Sequence, residues 1–184
     1  MANGHLSATF GAALAATTPD TPGMTVAFGT LAGIGIGGVI VPATTVSLIV
    51  VPDPLLATAA ALALSIRTVG GSIGYTIYAA IFNNKLRNNL PRIVAAYVSK
   101  AGLPSTYLNE FVTIFLTAPT KLATAPGYTP AIAEAATIGS RWAYAESLKY
   151  VWYVTIPFGV LAAISCLFLP SIRNYQTNRI AVQI

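Results

Sequence analysis

Three long stretches of the chain are apolar and almost free of charge. Residues 21–52 and 150–172 hold no charged side chain, and residues 54–84 hold only Arg67. A helix needs about 20 predominantly apolar residues to cross a hydrocarbon core, and each stretch is longer than that. The pattern therefore predicts three transmembrane helices. Their expected bounds are 24–47, 55–82 and 150–169.

The amino-terminal residues 1–18 form a shorter apolar segment that ends at the turn TTPDTPG. Two prolines and a glycine in that turn break any helix. We read residues 1–18 as the end of a further transmembrane helix whose beginning is absent. A signal peptide cleaved after Ala15 is the alternative, but no basic residue precedes its apolar part.

Residues 83–147 carry amphipathic patterns and are predicted to lie outside the membrane. In the stretch STYLNEFVTIFL, apolar residues recur at the spacing of one helix face. This stripe consists of Leu108, Phe111, Val112, Phe115 and Leu116. A weaker amphipathic helix is expected after Pro91, and Thr129 followed by Pro130 is a typical helix start. We expect short helices that lie at the membrane surface or pack on the spans.

Composition supports the same class of protein. Charged residues make up 8% of the chain and apolar residues 55%, whereas about a quarter of an ordinary soluble domain is charged. The net charge is +5, from ten Lys and Arg against five Asp and Glu. The Lys and Arg residues lie singly, so no basic run indicates a nucleic-acid partner. The predicted fold is an all-α membrane protein with three full transmembrane helices, a partial fourth, and short amphipathic helices in a long loop.

The glycines of GTLAGIGIGG fit two motifs. Gly33, Gly35 and Gly38 match the G-x-G-x-x-G spacing of a dinucleotide-binding turn, whereas Gly29, Gly33 and Gly37 match the small-xxx-small spacing of packed membrane helices. A dinucleotide site requires a preceding strand, an amphipathic helix and a later acidic residue, none of which the neighbouring sequence provides. We therefore predict a helix-packing face and no nicotinamide cofactor.

The second predicted span contains an unusual set of residues. Gly70 and Gly74 repeat the four-residue spacing, while Arg67, Tyr75 and Tyr78 are polar. An arginine near the bilayer centre costs about 2.5–3.5 kcal/mol on insertion scales, so it is expected to face protein, water or a ligand. Alternatively, Arg67 reaches the headgroups, because the helix is long enough to shift along its axis. The tyrosines are either interfacial anchors or part of the same pathway.

Side chains that commonly carry protons within a membrane are absent from the predicted spans. They contain no Asp, Glu or His, the residues that usually relay protons within a membrane. We predict no catalytic residue, no metal site and no cofactor, so the protein is not expected to be an enzyme. Arg173 and Arg179 follow the last span and favour a cytoplasmic tail over 170–184.

Several stretches resemble the carboxyl-terminal part of fungal major facilitator efflux transporters. They are LAGIGIGGVIVPATTVSLIVVPDPLLATAAALALSIRTVGGSIGYTIYAAIFNNKL, WAYAESLKYVWYVTIPFGVLAAISCLFLP and YQTNRIAVQI. The resemblance is to the trichothecene efflux pump-like and siderophore transporter-like branch of the roughly fourteen-span drug:proton antiporters. Such proteins alternate access between two six-helix halves, so three spans amount to a fragment of one.

The resemblance implies a proton-driven exporter of small hydrophobic toxins or drugs, or a siderophore carrier, in the plasma membrane or the vacuolar membrane. Its expected partners are the lipid bilayer and such a small hydrophobic substrate or siderophore. Arg67, Tyr75 and Tyr78 are the candidates for the substrate pathway. The isolated fragment is not expected to transport. The alternative function is a small non-transporting membrane protein that assembles or regulates through its glycine-rich helix faces.

Overall fold

The computed structural model describes residues 9–49 and 51–168, in which there are α-helices and no strand. We number the helices α1 (Pro22–Ile49), α2 (Leu56–Lys100), α3 (Ser105–Thr117) and α4 (Pro130–Leu167). Short 3₁₀ turns lie at Leu14–Ala16, Asp53–Leu55 and Pro119–Thr124, and residues 9–13 are helical. The all-α class is confirmed. Residues 1–8 and the expected cytoplasmic tail at 170–184 lie outside the described residues.

Three of the helices are long and apolar enough to cross a membrane. These candidate spans are Pro22–Val46, Asp53–Lys100 and Pro130–Ser165. Between 0 and 11% of the residues in their most apolar stretches are buried within the protein. Large apolar side chains such as Val26, Leu62 and Leu161 are therefore exposed. Because water is a poor solvent for such a surface, the structure is that of a membrane protein.

Helix α2 is longer than the span expected from sequence. It continues past Phe82 and through Pro91 to Lys100, which gives 45 residues and a length of about 68 Å. A bilayer core is about 30 Å thick, so a large part of α2 extends beyond it. The separate amphipathic helix expected after Pro91 is instead the carboxyl-terminal part of α2. That α2 leaves the bilayer near residue 82 stays a prediction.

The carboxyl end of α2 is closed by a Schellman motif. Gly102 adopts a φ of +97°, which is unfavourable for residues with a side chain. The Leu103 N–H donates to the Val98 carbonyl at 3.1 Å, and the Gly102 N–H donates to the Ser99 carbonyl at 3.1 Å. Leu103 and Val98 also belong to one buried cluster, the apolar contact that usually accompanies this motif.

Helix α4 begins where the sequence predicted. The Ile132 N–H donates to Thr129 Oγ1 at 3.2 Å, so the side chain of Thr129 caps the helix, and Pro130 is the first helical residue. The sequence analysis treated this helix and the span at 150–169 as separate elements. The structure joins them in one helix of 38 residues, because its sequence contains no turn signal before Pro157 and that proline is accommodated within the helix.

The hydrophobic core lies where α2, α3 and α4 meet, beyond the apolar halves of α2 and α4. We call this region the helical cap. Its buried cluster consists of Val94, Val98, Leu103, Phe111, Val112, Ala125, Ile132 and Ala136. The predicted stripe of α3 packs into it: Phe111 and Val112 are buried, and Leu108 and Phe115 pack against the cluster. Leu116, at the edge of the stripe, is exposed.

One close helix contact fixes the two long helices in the cap. An ideal Cβ at Gly139 of α4 would lie 3.2 Å from the Val94 Cα and 3.1 Å from the Tyr97 Cβ, both on α2. Both distances are shorter than an ordinary van der Waals contact, and neither atom is at the end of a flexible side chain, so a Cβ at this position would require α2 to shift slightly. Gly139 is therefore the glycine at which helix packing is observed, and its surroundings are different from those of the glycines that the sequence analysis selected.

Candidate functional site

Arg67 lies on an uncovered face of the apolar half of α2. At about 100° per residue, Gly70, Gly74 and Tyr78 lie within about 60° of Arg67 around the helix axis, and Tyr75 lies about 80° away. Arg67 and Tyr75 are exposed, whereas Tyr78 is half-buried. We call this set of five residues the Arg67 face. Within the described residues the one salt bridge joins Lys149 to Glu146, so Arg67 has no carboxylate partner there.

The three pathway candidates have different surroundings. The Tyr78 ring meets the Phe158 ring of α4 edge-on, with centroids 6.2 Å apart. Tyr75 is 76% exposed, and Arg67 lies about 16 Å from Tyr78 along the axis. A shallow, open depression of about 300 Å³ on α2 is lined by residues 72, 73, 76 and 77 and by none of the three candidates. The structure thus brings Tyr78 against α4 and leaves the other two on the surface of α2.

The predicted helix-packing glycines face open space. An ideal Cβ at Gly29, Gly33, Gly37 or Gly70 would have no heavy atom of another element within 4 Å. At Gly74 the nearest atom is a ring carbon of Tyr78, at 3.9 Å and on the same helix. The described part of the chain therefore supplies no helix against these faces. Their role in packing stays a prediction that requires a partner.

A second polar face of α2 was missed by the sequence analysis. Ser65, Thr68, Ser72 and Thr76 are all exposed, and each donates its hydroxyl to the carbonyl four residues earlier at 2.8–3.0 Å. We call them the hydroxyl stripe. They lie about 100–180° from Arg67 around the axis. Small hydroxyl residues at intervals of three and four in an apolar helix were the signal that could have identified the stripe.

These two faces of α2 present one cation and several hydrogen-bonding groups. The hydroxyl stripe already donates its protons to the backbone, so its oxygens remain free to accept hydrogen bonds. Arg67 can only donate, and its guanidinium stays charged. Within the described ranges no group of three or more His, Cys, Asp or Glu side chains is placed to hold a metal ion. The chemistry available on α2 is recognition by a cation, phenols and hydroxyl oxygens.

Curated proteins similar to this chain match most of its length. A protein of Penicillium rubens named MFS-type transporter prx5 is 25% identical over 170 residues, which are 92% of this chain. The proteins named efflux pump FUS6 in Gibberella moniliformis and Gibberella fujikuroi are each 28% identical over 153 residues, or 83% of this chain. The chain is a homologue of fungal MFS-type transporters. The predicted resemblance to fungal major facilitator efflux transporters is confirmed.

The chain spans less than a third of the length of these MFS-type relatives. The matched region covers 31% of the Penicillium transporter and 25% and 26% of the two Gibberella pumps. No protein-family model matches the chain, and no solved structure matches it. All three relatives are named as transporters or pumps.

Proposed function

We propose that this chain forms part of a major facilitator exporter of small hydrophobic toxins or drugs, or of a siderophore carrier, in the plasma membrane or the vacuolar membrane. Transport is proton-coupled and proceeds by alternating access. The similarity to an MFS-type transporter and to efflux pumps supports the transport role. The three apolar helices support residence in a bilayer.

The substrate pathway, in this proposal, runs along the Arg67 face. The observation that carries the assignment is an exposed guanidinium in the apolar half of α2 that has no carboxylate partner among the described residues. Transferring such a group into lipid costs about 2.5–3.5 kcal/mol, whereas a water-filled pathway leaves it solvated. Tyr75 and Tyr78 add phenol groups that offer an apolar ring and a hydrogen bond to a hydrophobic substrate.

The three transmembrane segments predicted from sequence would contribute pathway surface and not the proton-coupling group. Proton relays within membranes use Asp, Glu or His. Residues 24–47, 55–82 and 150–169 contain none of these. In the proposed transporter the coupling residue belongs to other helices, and Arg67 interacts with substrate or water.

A cysteine-accessibility scan tests the pathway. Single cysteines are placed at positions 63 to 78 of the full chain in vesicles, with Cys166, the only native cysteine, replaced by Ser. A membrane-impermeant thiol reagent is expected to label positions 67, 75 and 78. The extent of labelling at each position is divided by that of the same variant denatured in detergent.

Positions 65, 68, 72 and 76 on the hydroxyl stripe serve as the matched comparison. Labelling confined to the hydroxyl stripe would show that the aqueous pathway runs along that stripe, which would contradict its assignment to the Arg67 face. Labelling limited to the first few positions would leave Arg67 as a headgroup-reaching side chain and refute the pathway.

A second candidate function is assembly through the glycine face of α1. It is favoured by Gly29, Gly33 and Gly37, where a Cβ would meet nothing within 4 Å, because close helix pairs form at such faces. The test compares chemical cross-linking of the full chain in vesicles for Gly33→Leu plus Gly37→Leu and for Gly23→Leu, another open glycine of α1. Assembly predicts that the double variant loses cross-linked dimers and the control keeps them. Equal cross-linking of both variants would contradict it.

A further inference from the structure

A groove separates the amino-terminal turn from the outer side of α4. It is open along one side and has a volume of about 580 Å³, within the roughly 300–1,000 Å³ typical of small-molecule sites. The residues that matter for its chemistry are Thr17, Thr18, Arg141, Tyr144, Leu148 and Trp152. None of them belongs to the Arg67 face or to the hydroxyl stripe, so the groove is separate from the proposed pathway.

The polar end of the groove is positively charged. Arg141 is exposed and has no carboxylate within salt-bridge distance among the described residues. Glu146, one turn further along α4, pairs instead with Lys149 at 3.0 Å. The Thr17 hydroxyl donates to the Leu14 carbonyl at 2.8 Å, so its oxygen is left to accept. A guanidinium with five donors and no anionic partner is suited to a phosphate group.

The other end of the groove is apolar and leads toward the membrane span. Leu148 and Trp152 lie about 10 and 16 Å beyond Arg141 along the α4 axis. Both line the groove, and the exposed side chains that follow on α4, such as Ile156 and Val160, are apolar. The groove is thus cationic at the Arg141 end and apolar at the Trp152 end, without a break between the two.

Aromatic side chains fix the depth of the groove in the membrane. Tyr144 and Trp152 line it, and Trp142, Tyr150 and Tyr153 lie on the same stretch of α4. Such amphipathic rings concentrate at the headgroup level of a bilayer. Arg141 therefore lies at or just outside the level of the lipid phosphates, and Trp152 at the beginning of the acyl region.

We propose that this groove binds an anionic phospholipid of the surrounding bilayer. Arg141 holds the phosphate, the threonine oxygens accept bonds from headgroup hydroxyls or amines, and an acyl chain lies along Leu148 and Trp152. Basic pockets beside transmembrane helices bind anionic headgroups in this way. The inference goes beyond the transport function, because it requires only that α4 crosses the bilayer.

Fluorescence quenching of Trp152 tests the proposal. Trp142→Phe makes Trp152 the only tryptophan of the full chain, which is reconstituted in phosphatidylcholine nanodiscs. Brominated phosphatidic acid or brominated phosphatidylcholine then replaces part of the lipid. The half-maximal quenching is expected at an about fivefold lower mole fraction of the anionic lipid, the preference that one cation at a membrane surface provides. Equal quenching by the two lipids overturns the proposal.

Two variants assign the preference to the groove. Arg141→Gln, matched in helicity by circular dichroism, is expected to abolish the preference while leaving quenching by phosphatidylcholine. Arg87→Gln removes an exposed cation of α2 outside the groove and is expected to retain the preference. A preference that survives Arg141→Gln overturns the assignment. If Arg141→Gln loses helicity, the chain with Arg141 intact is measured in 1 M salt instead. Charges more than about 3 Å apart are screened at that salt concentration, so the preference for the anionic lipid must fall.

Discussion

The Asn89 side chain of α2 donates a hydrogen bond of 3.2 Å from Nδ2 to the Ser147 Oγ of α4. Ser147 is fully buried, and its own hydroxyl donates to the Ala143 carbonyl at 2.7 Å. The oxygen of Ser147 therefore links the two long helices at the boundary between the helical cap and the apolar spans. Close by, the Lys85 Nζ lies 4.1 Å from the centre of the Tyr150 ring.

Removing the Ser147 hydroxyl is expected to weaken the cap. Ser147→Ala leaves the Asn89 amide without this partner, a loss of about 1 kcal/mol in the free energy of unfolding. Ser140→Ala is the control, because the Ser140 hydroxyl bonds only to the nearby Thr137 carbonyl and its loss should cost less than about 0.5 kcal/mol. Urea unfolding in micelles, followed by circular dichroism, measures both. Equal losses would show that the link between the helices is not stabilising.

A side chain at Gly139 is expected to separate α2 from α4. Gly139→Leu forces atoms against the Val94 backbone, and overpacking of this kind costs about 1–3 kcal/mol. Gly71→Leu adds the same side chain where nothing lies within 4 Å. Amide hydrogen exchange of residues 130–147 should accelerate for Gly139→Leu only. Unchanged exchange in both variants would mean that the close contact is absent in solution.

The contact between Lys85 and Tyr150 is expected to depend on the aromatic ring and not on the phenol hydroxyl. Tyr150→Leu should reduce the free energy of unfolding by about 0.5–1 kcal/mol, while Tyr150→Phe should leave it unchanged. A double-mutant cycle with Lys85→Met isolates the pair. Additive losses in that cycle would contradict a cation–π interaction.

The start of α4 is expected to depend on the Thr129 hydroxyl. Thr129→Ala removes the acceptor of the Ile132 N–H and should cost about 1 kcal/mol, whereas Thr129→Ser should restore most of that. Hydrogen exchange in the first turn of α4 is the readout. Protection that is the same in the Ala and Ser variants would show that the cap is formed by something else.

The sequence predicted those features that depend on local chemistry. An apolar run longer than the bilayer indicates a span wherever it occurs, and Thr129 with Pro130 marks a helix start from two adjacent residues. The stripe around Phe111 follows from helical periodicity alone. The structure contains the long apolar helices, the helix start at Thr129 and the buried stripe around Phe111.

Features that depend on contacts between distant parts of the chain could not be predicted from the sequence. The polar stretch after Phe82 ends an apolar run, but α2 continues because Val94 and Val98 pack in the cap. Glycine spacing marks where helices can approach and does not identify a neighbour. Gly33 therefore faces open space, whereas Gly139, which lies in the four-residue spacing Ala135, Gly139, Ala143 and Ser147, makes the close contact. Arg67 is placed on a helix face by periodicity, but what lies opposite that face depends on other helices.

The most direct test of the account is whether the full chain resides in a bilayer. Membranes from cells that express it are extracted with alkaline carbonate and floated on a density gradient. The account predicts that the chain floats with the lipid after extraction and leaves it only in detergent. Release into the aqueous fraction as a dispersed monomer would contradict three membrane-spanning helices, and with them the transport proposal and the lipid groove.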